Sequence, residues 1–226
     1  MMFKTVLSLR QTARILPLIN VNGHVHVARR FHQSSPRENS KLYEFRVYQL
    51  KPECTKPFIE LSKEWMHLRL NHSVLIGYWT SEIGGINDMV HIWEYDSLEH
   101  RAQVRQALAN DPSWISNYFS KILPMMSRQE NVLLQPNGKL QLYQPKLKGV
   151  YEIETFRGTP GKKPISAKLL GSFKGLIGPM NTVYNLWYHK TVDDMVKSAS
   201  QVNEKLGADL TGHSRLLLPT PWSPLG

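Results

Sequence analysis

Cysteine is almost absent from this chain: Cys54 is the only one in 226 residues. An internal disulfide is excluded, and so is a Cys-x-x-Cys metal site, a usage that fits a reducing compartment. No pairing motif surrounds Cys54, so it reads as structural. Long apolar runs are also missing. Nothing approaches the roughly 18 consecutive apolar residues of a spanning helix, so no transmembrane segment is expected. Catalytic motifs are equally scarce. There is no GxGxxG, no GxSxG and no HExxH, and His67 and His72 have no metal-ligand spacing. Gly171-x-x-x-Gly175 contains Lys174 but lacks the Gly-Lys-Ser/Thr ending of a phosphate loop. No cofactor or metal is therefore expected, and no catalytic residue is assigned. A shaped pocket without a motif would still support cofactor-independent chemistry.

Acid is absent from the first 37 residues, the first being Glu38, while Lys4, Arg10, Arg14, Arg29 and Arg30 are all present. A cationic, hydroxyl-rich, acid-free start is the composition of a mitochondrial presequence. Arg10 interrupts Val6–Leu9, and Pro17 and Asn20 break the next apolar run, which argues against a secretory signal. Arg29-Arg30-Phe31 resembles a matrix-protease site, and a two-step cut would place the mature start near Asn39. We take residues 1–38 as presequence, with cleavage after Phe31 or Glu38, and a matrix or matrix-side destination. The formal charge of +10 falls to +5 once the five leader cations are removed. The remainder is spread along the chain, so nucleic acid is not expected as a partner.

Patterning places two similar units after the leader. Leu42–Leu50 alternates as a strand. Phe58, Leu61, Trp65 and Leu68 recur on one helical face. Ser73–Glu82 and Asn87–Tyr95 flank Gly84-Gly85 as a hairpin. Asp96-Ser97-Leu98-Glu99 starts a helix in capping-box style. Ile115, Tyr118, Phe119, Ile122 and Leu123 share a face of a helix opened by Asp111-Pro112, and Asn131–Gln135 is a last strand. This order is the ferredoxin-like unit. Residues 137–148, with Asn137-Gly138, Pro145 and three lysines, read as a solvated linker.

The pattern then restarts. Tyr43-Glu44-Phe45 is echoed by Tyr151-Glu152-Ile153, Gly84–Trp93 by Gly178–Trp187, and Val132-Leu133-Leu134 by Leu216-Leu217-Leu218. The offsets shrink from 108 to 94 to 84, so the second copy has lost 14 residues before its hairpin and 10 after it. The first loss falls on the helix of Phe58–Leu68, and Pro160–Leu170, with two prolines, reads as loop. The expected fold is α+β: tandem ferredoxin-like repeats over 39–136 and 149–226, the second lacking its first helix. The sheet left bare would be covered by the linker, the tail Pro219–Gly226 or a partner chain.

Leu42-Tyr43-Glu44-Phe45-Arg46, Gly84-Gly85-Ile86-Asn87, Val90-His91-Ile92-Trp93-Glu94-Tyr95, Glu99-His100-Arg101, Gln129-Glu130-Asn131 and Ser223-Pro224-Leu225 together resemble the NipSnap family. The resemblance covers 42–136 and, in degraded form, 149–226. It implies a dimeric α/β-barrel architecture with helices outside, and mitochondrial residence. It also implies roles in mitochondrial quality control, vesicular traffic and protein association, with no catalytic activity firmly attached.

Two functions follow as expectations. The first is a non-enzymatic mitochondrial protein that associates with other proteins, or with itself as a homo-oligomer. The second is a small-molecule or haem-binding barrel, oxygenase-like, that uses His91. On Met89–Tyr95, alternation places Met89, His91, Trp93 and Tyr95 on one face. With Tyr78 they would form an aromatic pocket if that face looks into the barrel. Against this, the position of His91 is Asn185 in the second copy, whereas Trp93 recurs as Trp187, which suits packing. Gly84, Gly85, Asn87 and Asn181 read as turn residues, since asparagine and glycine tolerate positive φ.

Overall fold

The computed structural model describes residues 41–143, 148–157, 167–203 and 211–226, the last three residues of the third span by backbone only. The presequence expected over 1–38 lies outside them, as do residues 144–147 of the linker and 160–166 of the segment expected as loop.

Eight strands close into one barrel: β1 (Leu42–Leu50), β2 (Val74–Ile83), β3 (Asp88–Tyr95), β4 (Met126–Pro136), β5 (Val150–Arg157), β6 (Lys168–Ile177), β7 (Thr182–His189) and β8 (Thr211–Pro219). The order around the barrel is β1-β3-β2-β8-β5-β7-β6-β4. The first half thus runs β4-β1-β3-β2 and the second β8-β5-β7-β6, joined at the β2–β8 and β4–β6 seams. Every neighbouring pair is antiparallel. Closure leaves no free sheet edge.

The pleat decides what fills the barrel. Tyr43, Phe45 and Val47 of β1 and Val90 and Ile92 of β3 point inward, and join buried residues from all the other strands in one core. Rings from the two halves interlock there: Tyr43 with Phe173 at 5.1 Å, Phe45 with Tyr184 at 5.4 Å, and Trp79 with Tyr151 at 5.6 Å. Two segments outside the strands enter the same core. Leu142, expected in a solvated linker, is buried in it, and Leu225 of the tail joins it. Gln141 N donates to Leu170 O at 2.6 Å and Asn137 N to Ser172 O at 2.8 Å, so this part of the linker docks along β6. Its proline, glycine and lysine content hid the alternation of Leu140 and Leu142.

Helices cover the outer face of the first half. They are α1 (Thr55–Leu70), α2 (Leu98–Ala109) and a composite stretch. The composite combines α3 (Pro112–Trp114), a π turn Ile115–Phe119, α4 (Ser120–Ile122) and a 3-10 turn Leu123–Met125. Ser97 caps α2 by accepting from His100 N, and the reciprocal partner is the His100 ring, which accepts from Asp96 N, not Glu99. The buried stripe of α1 is Phe58, Ser62, Met66 and Arg69, with Leu61, Trp65 and Leu68 only partly buried. The expected apolar stripe is displaced because Ser62 and Arg69 have polar partners beneath the helix. In the composite stretch Trp114, Tyr118 and Ile122 are buried, while Ile115 and Leu123 reach solvent.

In the second half, ten residues separate β5 from β6, against 23 between β1 and β2. Among the described residues α5 (Val192–Asn203) stands between β7 and β8. The tail expected as a cover for the second half instead binds the first. Thr220 N and Oγ1 both donate to Tyr78 O, and Tyr78 N donates to Ser223 Oγ at 3.0 Å. One equivalence shifts by a residue. Leu133 faces Glu44 and Leu216 faces Glu152, so Leu133 corresponds to Leu216, not Leu217. A one-residue error of this kind exchanges the two faces of a strand.

Candidate functional site

The face of β3 that carries Met89, His91, Trp93 and Tyr95 packs against the helices, not into the barrel. The expectation of an inward-facing aromatic pocket is corrected on this point. The barrel interior is already filled by interlocking rings from both halves. Glu94, of the opposite parity, lies with the inward set, where Tyr43 Oη (3.0 Å), Tyr143 Oη and Lys41 Nζ donate to it.

Register lines up the polar residues of the outer face. Arg46 of β1 stands opposite His91 of β3, which stands opposite Tyr78 of β2. In the next row Glu44 stands opposite Trp93. α1 adds Arg69 from above, and α2 adds Arg101. Glu44 is the shared anion: Arg101 donates two hydrogen bonds (2.8 and 3.1 Å), Asn131 donates at 2.7 Å and Arg46 at 3.2 Å. Burial works against the Glu44 carboxylate, but the Arg101 bonds, the Arg46 charge and the Asn131 bond together pull its pKa down to about 2. Arg69 donates to Ser73 Oγ (2.6 Å) and Tyr95 Oη (2.9 Å), and lies 3.9 Å over the Trp93 ring. Ser62 Oγ meets Tyr118 Oη at 2.7 Å.

His91 sits at the centre. Its ring stacks on Tyr78 (4.4 Å, 7°) and meets Tyr48 edge-on at 4.6 Å. Trp93 Nε1 donates to His91 Nδ1 at 2.6 Å. Burial, followed by the charges of Arg46 and Arg69, holds the imidazole well below its usual pKa of 6.5, so it is neutral. A neutral ring that accepts at Nδ1 carries its proton on Nε2. That Nε2–H has no partner among the described residues, and the same holds for Tyr78 Oη and Arg46 Nε.

The three residues that carry these atoms line a cavity of about 50 Å³, bounded also by Arg69, Trp93 and Met66, among others. A larger, shallower depression of about 650 Å³ lies on the outside of α1, beside Glu60, Lys63, Glu64 and Lys121. Its charges are solvated and of both signs, so volume alone does not identify the site. Of the five residues expected to form a pocket, Tyr78, His91 and Trp93 line the cavity. Met89 is buried in apolar packing, and Tyr95 contributes its hydroxyl to Arg69 and, at 3.3 Å, to Glu44. Glu44, Arg46, Arg69 and Arg101 were not expected. Their available signal was Glu44 and Arg46 two apart on one strand face, which buries charge wherever that face is covered.

The turn residues lie at the hairpin tips. Asn87 and Asn181 have φ of 65° and 54°. A Cβ on Gly84 (φ 91°) would meet Ser214 O at 2.4 Å. Trp187 Nε1 donates to Glu154 at 2.6 Å. Among the described residues, no three His, Cys, Asp or Glu side chains gather as a metal site, and no helix is long and apolar enough to cross a membrane.

A closed barrel of two four-stranded antiparallel sheets, with helices outside, defines a protein of the dimeric α/β-barrel class in which one chain supplies both sheets. A solved structure of a protein proposed to be a monooxygenase from Lactobacillus acidophilus NCFM shares this fold. Its TM-score is 0.55 at 10% identity, over 81% of this chain and 98% of that one. The NIPSNAP family model matches residues 43–138. The chain is 34% identical over 220 residues to NipSnap homolog 3A of Pongo abelii and to NipSnap homolog 3B of Mus musculus, in each case over 85% of this chain and 89% of the relative. The chain belongs to the NipSnap family.

Proposed function

We propose that this NipSnap-family chain is a mitochondrial protein that works by associating with other proteins, in mitochondrial quality control or vesicular traffic, without catalysis of its own. The observation that carries the reading is the pair of hairpin tips. Alternating strand directions put the β2–β3 and β6–β7 tips at the same end of the barrel. Each tip exposes two large apolar side chains at matching positions: Ile83 (65%) and Ile177 (60%), Ile86 (75%) and Met180 (78%). Apolar groups grouped on one rim are suited to a partner surface, another protein or a second copy of the chain. The acid-free leader supports import, to the matrix or its face. The shared strand order, and a β5–β6 connection of ten residues against the 23 that hold α1, support two tandem ferredoxin-like copies, the second lacking its first helix.

Proximity labelling in intact mitochondria tests the association. Ile86→Asp combined with Met180→Asp should remove a reproducible set of neighbours, or lower the mass measured by light scattering. An unchanged neighbour set together with unchanged mass would overturn it. N-terminal sequencing of the mature protein should begin near His32 or Asn39, and an intact Met1 would overturn the import reading.

A second reading, favoured by the cavity, is that the first half holds a small molecule against Tyr78, His91 and Trp93. Haem does not suit this cavity, which is well below the roughly 300 Å³ at which drug-sized ligands are held.

A further inference from the structure

We propose that the cavity beneath α1 is a binding site for a small carboxylate anion, met by Arg46 Nε–H, His91 Nε2–H and Tyr78 Oη–H. The inference deepens the second reading above and rests on it.

Buried polar atoms in folded proteins have partners, and one left without a partner costs roughly 1–3 kcal/mol. Three lie here, side by side across β1, β3 and β2, and the row spans about 10 Å at the usual interstrand spacing of roughly 4.8 Å. Their polarity is uniform. An arginine N–H only donates, the tryptophan bond leaves the histidine with a donor, and the tyrosine hydroxyl is free to donate. The missing group is therefore an acceptor.

The charge balance points the same way. Three guanidinium groups, Arg46, Arg69 and Arg101, surround one carboxylate, Glu44. Arg69 reaches Glu44 only through the Tyr95 hydroxyl. Burying unneutralised charge is costly, and an anion in the cavity offsets it where a water does not.

Size and lining choose among anions. A volume of about 50 Å³ has room for on the order of four water-sized atoms, the size of a two-carbon acid. Met66, Phe119 and Ile122 form an apolar part of the wall, suited to an alkyl tail and unsuited to the four polar oxygens of phosphate. A short monocarboxylate satisfies donors, charge and wall together. The described residues of the second half form no such row. The row Arg46–His91–Tyr78 is replaced there by Glu154–Asn185–Ser172, which repels an anion.

The test titrates the full chain with sodium acetate and sodium propionate at constant ionic strength, read by calorimetry and by saturation-transfer NMR. Propionamide serves as the neutral isostere and inorganic phosphate as the larger anion. Acetate and propionate should bind saturably and compete, at least tenfold more tightly than propionamide or phosphate. Arg46→Met should abolish binding. Tyr78→Phe removes one hydroxyl from a stacked ring and should weaken binding several-fold with an unchanged circular dichroism spectrum, so it carries the test if Arg46→Met does not fold. No saturable binding of either carboxylate would overturn the proposal, as would affinity that Tyr78→Phe leaves unchanged. Propionamide binding as tightly as propionate, with loss in Tyr78→Phe, would overturn the anion and leave the small-molecule reading standing.

Discussion

The two halves of the barrel share a strand order and differ in what lies on their outer faces. In the first half the rows read Arg46–His91–Tyr78 and Glu44–Trp93–Leu75. In the second the same places hold Glu154–Asn185–Ser172 and Glu152–Trp187–Leu169. Both halves keep a glutamate and a tryptophan, but the tryptophan N–H goes to His91 in one and to Glu154 in the other. Glu44 faces arginines delivered by strand and helix. Glu152 is bonded by Ser214 (2.6 Å) and by His189 (2.8 Å), both from the sheet itself. The lesson is that a helix over a sheet changes what the sheet can hold. α1 and α2 bring cations to Glu44, and α1 with the composite stretch closes a cavity, whereas Ser214 and His189, seen on Glu152 among the described residues, belong to strands.

Four measurements test this contrast. The largest effect is expected from tryptophan deletion. Trp93 is fully covered, with Arg69 stacked on it, and Trp93→Ala should cost about 3–5 kcal/mol in urea denaturation. Trp187 is half-buried, so Trp187→Ala should cost about half as much. Equal losses would break the comparison.

Next comes Glu44. Folding lowers its pKa from 4.5 to about 2. Its contribution is therefore complete above pH 4.5 and is lost as the pH falls toward 2. Glu44→Gln should cost on the order of 3 kcal/mol at neutral pH, and the difference from wild type should close across that acid window. Glu152→Gln should cost about 1 kcal/mol, because Ser214 still has an acceptor. A Glu44→Gln penalty that does not change between pH 5 and pH 2 would remove the electrostatic account.

Ser62→Ala tests the polar underside of α1, whose Ser62–Tyr118 pair has no equivalent among the described residues of the other half. It leaves the Tyr118 hydroxyl without a partner and should cost about 1.5 kcal/mol by thermal denaturation. The smallest effect belongs to the turns. Asn87→Ala and Asn181→Ala each place alanine at positive φ, at about 1 kcal/mol. Asn87→Ala should cost slightly more, because only Asn87 accepts a bond from Thr55 Oγ1 (3.1 Å) among the described contacts.

Much of the architecture was legible because it rests on local periodicity. Strand alternation at 42–50, the Gly84-Gly85 hairpin and the Asp111-Pro112 helix start all appear where the pattern placed them. The faces were harder to read. A strand with Val90 and Ile92 on one side and His91 and Trp93 on the other has two apolar sides, and nothing local says which is inside. The same ambiguity hid the buried stripe of α1, where Ser62 and Arg69 look solvent-facing until their partners on β3 and the composite helix are known. Leu142 and Leu225 were missed because a barrel interior can be entered by chain that is not strand.

The sequence by itself determined the family, the order of strands and helices in the first half and the turn chemistry repeated in the second, since these follow from short motifs and periods of two and 3.6. Only the tertiary structure decided that His91 faces helices, that Arg46 and Arg101 meet Glu44 while Arg69 reaches it through Tyr95, and that Arg46, His91 and Tyr78 line one cavity. Those facts depend on register and helix rotation between segments 20 to 60 residues apart. Local pattern carries no record of either.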